Sequence, residues 1–188
     1  MTKRPTNITC PKVIYPKVFG PDAWEQLWQF SNKLSTPMRH SALSLAVAES
    51  LTGGWVGAAL TGISGSSDYF YAGITAYANE AKINLLGVNP LTLETFGAVS
   101  SQCAIEMAQG VRQRAGTDIG LSTTGIAGPT GGSPQKPVGL VFLGLADDKH
   151  SISSQYIISG DRLTINMAAA LEALKILKKF LSKRLKHP

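Results

Sequence analysis

Apolar positions recur along this chain with two periods, and the switches between them set out an order of elements. Trp24, Leu27, Trp28 and Leu34 repeat at helical spacing. They predict a core-facing helix that begins at Pro21-Asp22 and breaks at Pro37. The run from Leu43 to Val47 predicts a short buried strand over 43–48, with a helix at 52–61 after it. A loop over 63–67 leads to a strand from Tyr69 to Tyr77, rich in aromatic and β-branched residues. A short helix from Asn79 ends at Gly87, and another turn or two spans Pro90 to Phe96. Ser100 suits the N-cap of a longer helix reaching Arg114, with Ala104, Met107, Ala108 and Val111 on one face.

Strands are expected near 118–123, 138–146 and 151–158, the last two joined by the turn Asp147-Asp148-Lys149. A closing helix, 162–185, carries an apolar stripe of Ile165, Ala169, Leu171, Leu174, Leu177 and Leu181. Strands that alternate with helices and then pair as neighbours predict an α/β fold. It reads as a single three-layer α/β/α domain with a mixed, mostly parallel sheet covered by helices. Residues 1–21, with four prolines and little periodicity, read as an irregular N-terminal extension to a domain over 22–188.

Composition narrows the function. The chain has 188 residues, 44% hydrophobic and 16% charged, as expected of a folded globule. Its net charge of +6 is concentrated toward the two ends, with no basic run interleaved with aromatics, so nucleic acid is not the expected partner. Cys10 and Cys103 cannot build a disulfide framework, and His40, His150 and His187 are scattered, so no metal site is expected. No apolar stretch has the length of a membrane span, and the expected location is cytoplasmic.

Two segments carry chemistry. Ala48-Glu49-Ser50-Leu51-Thr52-Gly53-Gly54 leaves the first buried strand and opens a helix, placing hydroxyls where free N–H groups favour negative charge. The same residues would also serve as a plain cap and corner. The second segment, Thr123 to Pro137, holds four glycines and three prolines after a strand. Such a loop lets backbone approach a ligand closely, and Lys136 adds a point charge. It lacks the Gly-Lys-Ser/Thr of a nucleotide-triphosphate loop and the Gly-x-Gly-x-x-Gly of a dinucleotide fold. A long surface loop of no function is the alternative.

These blocks occur in order with Gly65-Ser66-Ser67, Tyr77-x-Asn79-Glu80-Ala81-Lys82 and Gly97-Ala98-Val99-Ser100. Thr124-Gly125-Ile126-Ala127-Gly128-Pro129, Gly131-Gly132-Ser133, Lys136-Pro137-Val138-Gly139 and Gly160-Asp161-Arg162 complete the set. The ordered series resembles the CinA C-terminal domain family over roughly residues 22–183. The activity associated with that family is nicotinamide-nucleotide amidohydrolase (PncC). The resemblance implies hydrolysis of the carboxamide of nicotinamide mononucleotide to nicotinate mononucleotide and ammonia, in NAD recycling. It implies no cofactor, no metal and a homodimer. It also implies Ser50 as nucleophile and Lys82 as base. Tyr77 would hydrogen-bond one or the other, and backbone N–H groups of Thr52, Gly53 or Gly54 would meet the oxyanion. Thr124, Gly125, Gly128, Gly131, Lys136 and Arg162 would hold the ribose phosphate.

Chemistry agrees with the pair, because a serine hydroxyl needs a base and a lysine can serve when neutral. An exposed helix lysine paired with Glu80 is the other reading of Lys82. One departure stands out: the family often carries further arginines early in the closing helix, where this chain has Leu163-Thr164-Ile165-Asn166-Met167. That departure admits an alternative, a catalytically silent relative that binds a nucleotide without turnover.

Overall fold

The computed structural model describes residues 12–14 and 23–184. Among the described residues, six strands form one sheet: β1 (Lys12–Ile14), β2 (Leu45–Glu49), β3 (Phe70–Thr75), β4 (Ile119–Gly125), β5 (Leu140–Ala146) and β6 (Ser151–Ile158). Their order is β1-β6-β5-β4-β2-β3. The strands β3, β2 and β4 run parallel, β5 is antiparallel to both β4 and β6, and β1 adds parallel to β6. The expected α/β fold with a mixed, mostly parallel sheet is what the chain adopts. Sequence periodicity did not reveal β1, which is only three residues long.

Helices cover both faces. On one lie α1 (Ala23–Ser41), α2 (Trp55–Thr61) and α6 (Arg162–Arg184); on the other lie α3 (Asn79–Leu86), α4 (Pro90–Phe96) and α5 (Ser101–Ala115). The strand β2 shows why there are two cores. Its residues Leu45 and Val47 pack with Leu27, Leu34 and Leu174 toward α1 and α6, whereas Ala46 and Ala48 face Met107 and Val111 of α5.

The small residues on that second face bring α5 very close. A Cβ at Gly120 would overlap the Ala108 carbonyl, and one at Gly144 would overlap the Ala104 carbonyl. Ser122 Oγ donates to Ala104 O at 2.6 Å. The helix α5 is capped as expected, with Ser100 Oγ accepting from Cys103 N.

Two expectations for α1 are corrected. The helix does not break at Pro37 but runs through it to Ser41. Leu34 and Met38, on either side of the proline, are fully buried, and that burial outweighs one missing N–H bond. Trp24 and Trp28 do not reach the core; each stays over a third exposed at its edge, where Trp24 packs on Trp55. The expected start at Pro21-Asp22 lies outside the described residues. No helix among the described residues is long and apolar enough to cross a membrane.

Candidate active site

The parallel strands β2, β3 and β4 end on the same side of the sheet, where open α/β folds form their crevices. A cavity of about 270 Å³ sits there. Ser50 enters it directly after β2, Tyr77 just after β3, and Thr124 and Gly125 at the end of β4. Lys82 comes from the first turns of α3, Gly128 and Gly131 from the glycine-rich loop, and Arg162 from the start of α6. Segments far apart in sequence thus converge on one space.

The turn after β2 is tightly held. Ser50 N donates to Thr123 O at 3.0 Å, and Gly53 N donates back to Ser50 O at 3.1 Å. Ser50 is 8% exposed, and its hydroxyl has no hydrogen-bond partner among the described residues. Glu49, the last residue of β2, is buried and collects donors from the turn and helix beyond it. Its Oε2 accepts from Thr52 Oγ1 at 2.6 Å, Gly54 N at 2.9 Å and Val56 N at 3.1 Å, while Oε1 accepts from Gly57 N at 2.8 Å.

This arrangement engages two of the three N–H groups expected to meet an oxyanion. Thr52, Gly53 and Gly54 do not line the cavity. The Gly54 N–H is taken by Glu49 and the Gly53 N–H by Ser50 O. An internal carboxylate already occupies the positive end of α2.

Lys82 is 2% exposed. Its Nζ donates to Ala76 O at 3.0 Å and Tyr77 O at 3.1 Å. Burial pulls the ammonium below its usual range, against smaller opposing pulls from Cys103 and Glu80. The two carbonyls occupy two of the three positions on the amine and leave the third open. No hydrogen bond joins Lys82 Nζ to Ser50 Oγ among the described residues, although both line the same cavity. The alternative of an exposed lysine paired with Glu80 does not hold, because the side chain is buried and bonded to backbone. Cys103, behind it on α5, is a neutral thiol that burial pushes up to about 11.

Tyr77 meets Lys82 through its backbone carbonyl, not its hydroxyl. The hydroxyl instead accepts from Arg162 Nη2. Arg162 Nη1 donates to Gly128 O at 2.7 Å, so one guanidinium links α6, the glycine loop and the turn after β3. Thr124 Oγ1 donates to Ala98 O at 2.7 Å, holding the Ala98-Val99 wall of the cavity. Lys136 does not line the cavity; its Nζ donates to Phe96 O at 2.6 Å and caps α4. The cavity lining includes two basic side chains, Lys82 and Arg162, and no carboxylate.

The model of the CinA C-terminal domain matches residues 28–181. The chain belongs to the CinA C-terminal domain family. It is 50% identical over 144 residues to a CinA-like protein of Kosmotoga olearia, covering 77% of this chain and 35% of that protein. A CinA-like protein of Dictyoglomus thermophilum is 48% identical over 138 residues, covering 73% and 34%. The chain therefore spans about a third of the length of these relatives. Among solved structures it is similar to the competence/damage inducible protein CihA of Agrobacterium tumefaciens, with TM-score 0.80 and 38% identity. That match covers 83% of this chain and 95% of that one.

Within this CinA domain, sequence reasoning missed two things. Asn79 lines the cavity as the first residue of α3, although it stood in the quoted Tyr77-x-Asn79 block. Glu49 was quoted and given no role. Its signal was a lone carboxylate ending the otherwise apolar strand Leu45-Ala46-Val47-Ala48.

Proposed function

We propose that this chain hydrolyses the carboxamide of nicotinamide mononucleotide, giving nicotinate mononucleotide and ammonia, without a cofactor. The observation that carries this reading is the shared cavity of Ser50, whose hydroxyl is unpartnered among the described residues, and Lys82, whose amine is buried and depressed in basicity. In this reading Ser50 Oγ attacks the amide carbon while the Lys82 amine takes its proton. The proton passes to the departing nitrogen, ammonia leaves, and an ester to Ser50 remains. Water, deprotonated by Lys82, attacks that ester; the acid is released and Ser50 recovers its hydrogen. The absence of lining carboxylates and the position of Arg162 at the rim favour an anionic ligand, with the phosphate toward Arg162.

The test is ammonia release from the mononucleotide by purified protein from neutral to mildly alkaline pH, alongside Ser50→Ala. Release that disappears in Ser50→Ala while mononucleotide affinity stays within a few-fold supports the assignment. No release above buffer rejects it.

A second reading, a relative that holds a mononucleotide without turnover, is favoured by one observation. Early α6 brings Arg162 alone to the cavity; Met167 is buried and Asn166 Oδ1 is buried without a partner among the described residues. Calorimetry separates the two, because binding without turnover gives heat that saturates and stops.

A further inference from the structure

We infer that Glu49 is a positioning residue for Ser50, its buried carboxylate holding the turn that presents the nucleophile. This inference rests on the reading of Ser50 as a nucleophile. It begins from a cost. A carboxylate at the end of a fully buried strand is among the least favourable choices for that position, and Glu49 is only 2% exposed. No Lys, Arg or His nitrogen lies within ion-pair distance of it among the described residues. Its charge is met wholly by the four donors already described, which come from Thr52, Gly54, Val56 and Gly57.

Three of those donors are N–H groups at the start of α2, a seven-residue helix whose N-cap, Gly54, supplies no side-chain cap. Glu49 caps the helix from the strand before it, so one carboxylate ties both ends of the segment 49–57. Ser50 sits inside that tie. The tie is also anchored to β4: Thr52 Oγ1 lies 2.7 Å from Thr123 Oγ1, and Thr123 O receives the Ser50 N–H. Backbone on both sides of Ser50 is thereby fixed while its hydroxyl stays open to the cavity.

The residue type is informative. Four donors converge and no acceptor does, so the site suits a group that only accepts. A glutamine of nearly the same size would turn its NH₂ against N–H groups, keeping volume while breaking the clamp.

The experiment compares the full chain with Glu49→Gln and Thr52→Val, each shown to be folded by circular dichroism and thermal melting. Thr52→Val removes one donor and the hydroxyl link to Thr123 of β4 while leaving the three backbone donors. Two readouts are used. The first is mononucleotide turnover, where kcat should fall about a hundredfold in Glu49→Gln, with KM within a few-fold, and less in Thr52→Val. The second is the rate at which a fluorophosphonate labels Ser50, located by peptide mass spectrometry, which should fall in parallel. Labelling needs a presented hydroxyl but not the mononucleotide.

Purely structural support would lower the melting point and leave both rates per folded molecule unchanged, and that result overturns the inference. If the unsubstituted chain labels at Ser50 but releases no ammonia, the substrate reading fails, and the labelling rates alone decide for or against Glu49. If it neither labels nor turns over, there is no nucleophile to position and the inference falls with it. Should Glu49→Gln not fold, the Thr52→Val comparison decides alone.

Discussion

The Arg162 guanidinium, in the lining of the cavity, donates to Gly128 O at 2.7 Å, with its other amino group on the Tyr77 hydroxyl. Three segments meet at this one side chain, and its planar fork is what lets it serve two acceptors at once. Arg162→Lys keeps the charge but loses the fork. We expect KM for the mononucleotide to rise about tenfold, with kcat within a few-fold, in steady-state kinetics. A large fall in kcat at unchanged KM would assign Arg162 to the chemical step instead.

Lys82 links activity to pH and stability. Its proton affinity is lowered on folding, so the folded chain binds fewer protons there than the unfolded chain between its depressed value and the ordinary lysine value of 10.5. Stability must then rise with pH across that window, the penalty being complete below it and absent above it. Lys82→Met should release no ammonia. Its melting temperature, set against that of the unsubstituted chain, should lose ground as pH rises from 7 toward 10. An offset that stays constant over that range would show that Lys82 is not depressed.

Lys136, expected to hold the ribose phosphate, lies outside the cavity lining. Because its amine caps α4 at Phe96 O, Lys136→Ala should change KM for the mononucleotide less than about twofold while lowering stability by under about 1 kcal/mol. Measured KM and denaturant midpoints check both halves. A tenfold rise in KM would return Lys136 to the ligand.

Gly144 lets α5 rest on the sheet. A methyl there would meet the Ala104 carbonyl and Ser122 Oγ, so Gly144→Ala should cost about 1–3 kcal/mol in urea unfolding. An unchanged midpoint would mean that α5 can shift at little cost.

Periodicity alone located most elements, because amphipathic stretches such as Ala104 to Val111 and Ile165 to Leu181 bury the residues their spacing marks. It failed where one local rule met a larger opposing effect. Pro37 reads as a stop, yet the burial of Leu34 and Met38 carries α1 past it. Trp24 and Trp28 fit the spacing, but spacing cannot say how deep a residue sits at the end of a helix. At the site, the meeting of Ser50, Lys82, Thr124 and Arg162 was visible only through the ordered motifs, since no periodic signal joins residues that far apart. Backbone assignments were least legible. Whether Gly53 or Gly54 offers an N–H depends on what else claims it, and here Glu49 and Ser50 do. The Lys136 contact was illegible for the same reason: charge in a loop says nothing about which carbonyl it will find.

The reversal of strand direction between β4 and β5 has a bearing on how this fold can diversify. The stretch from Ile126 to Gly139 closes a parallel strand and opens an antiparallel one, and it is pinned where Ile126 N donates to Leu140 O, Gly139 N donates to Ile126 O and Ile158 N donates to Gly139 O. Residues gained or lost between those pins would reshape one wall of the crevice without sliding any strand past its neighbour. Variation in ligand range can therefore accumulate in a single connection while the Ser50 turn and the Lys82 helix stay where they are.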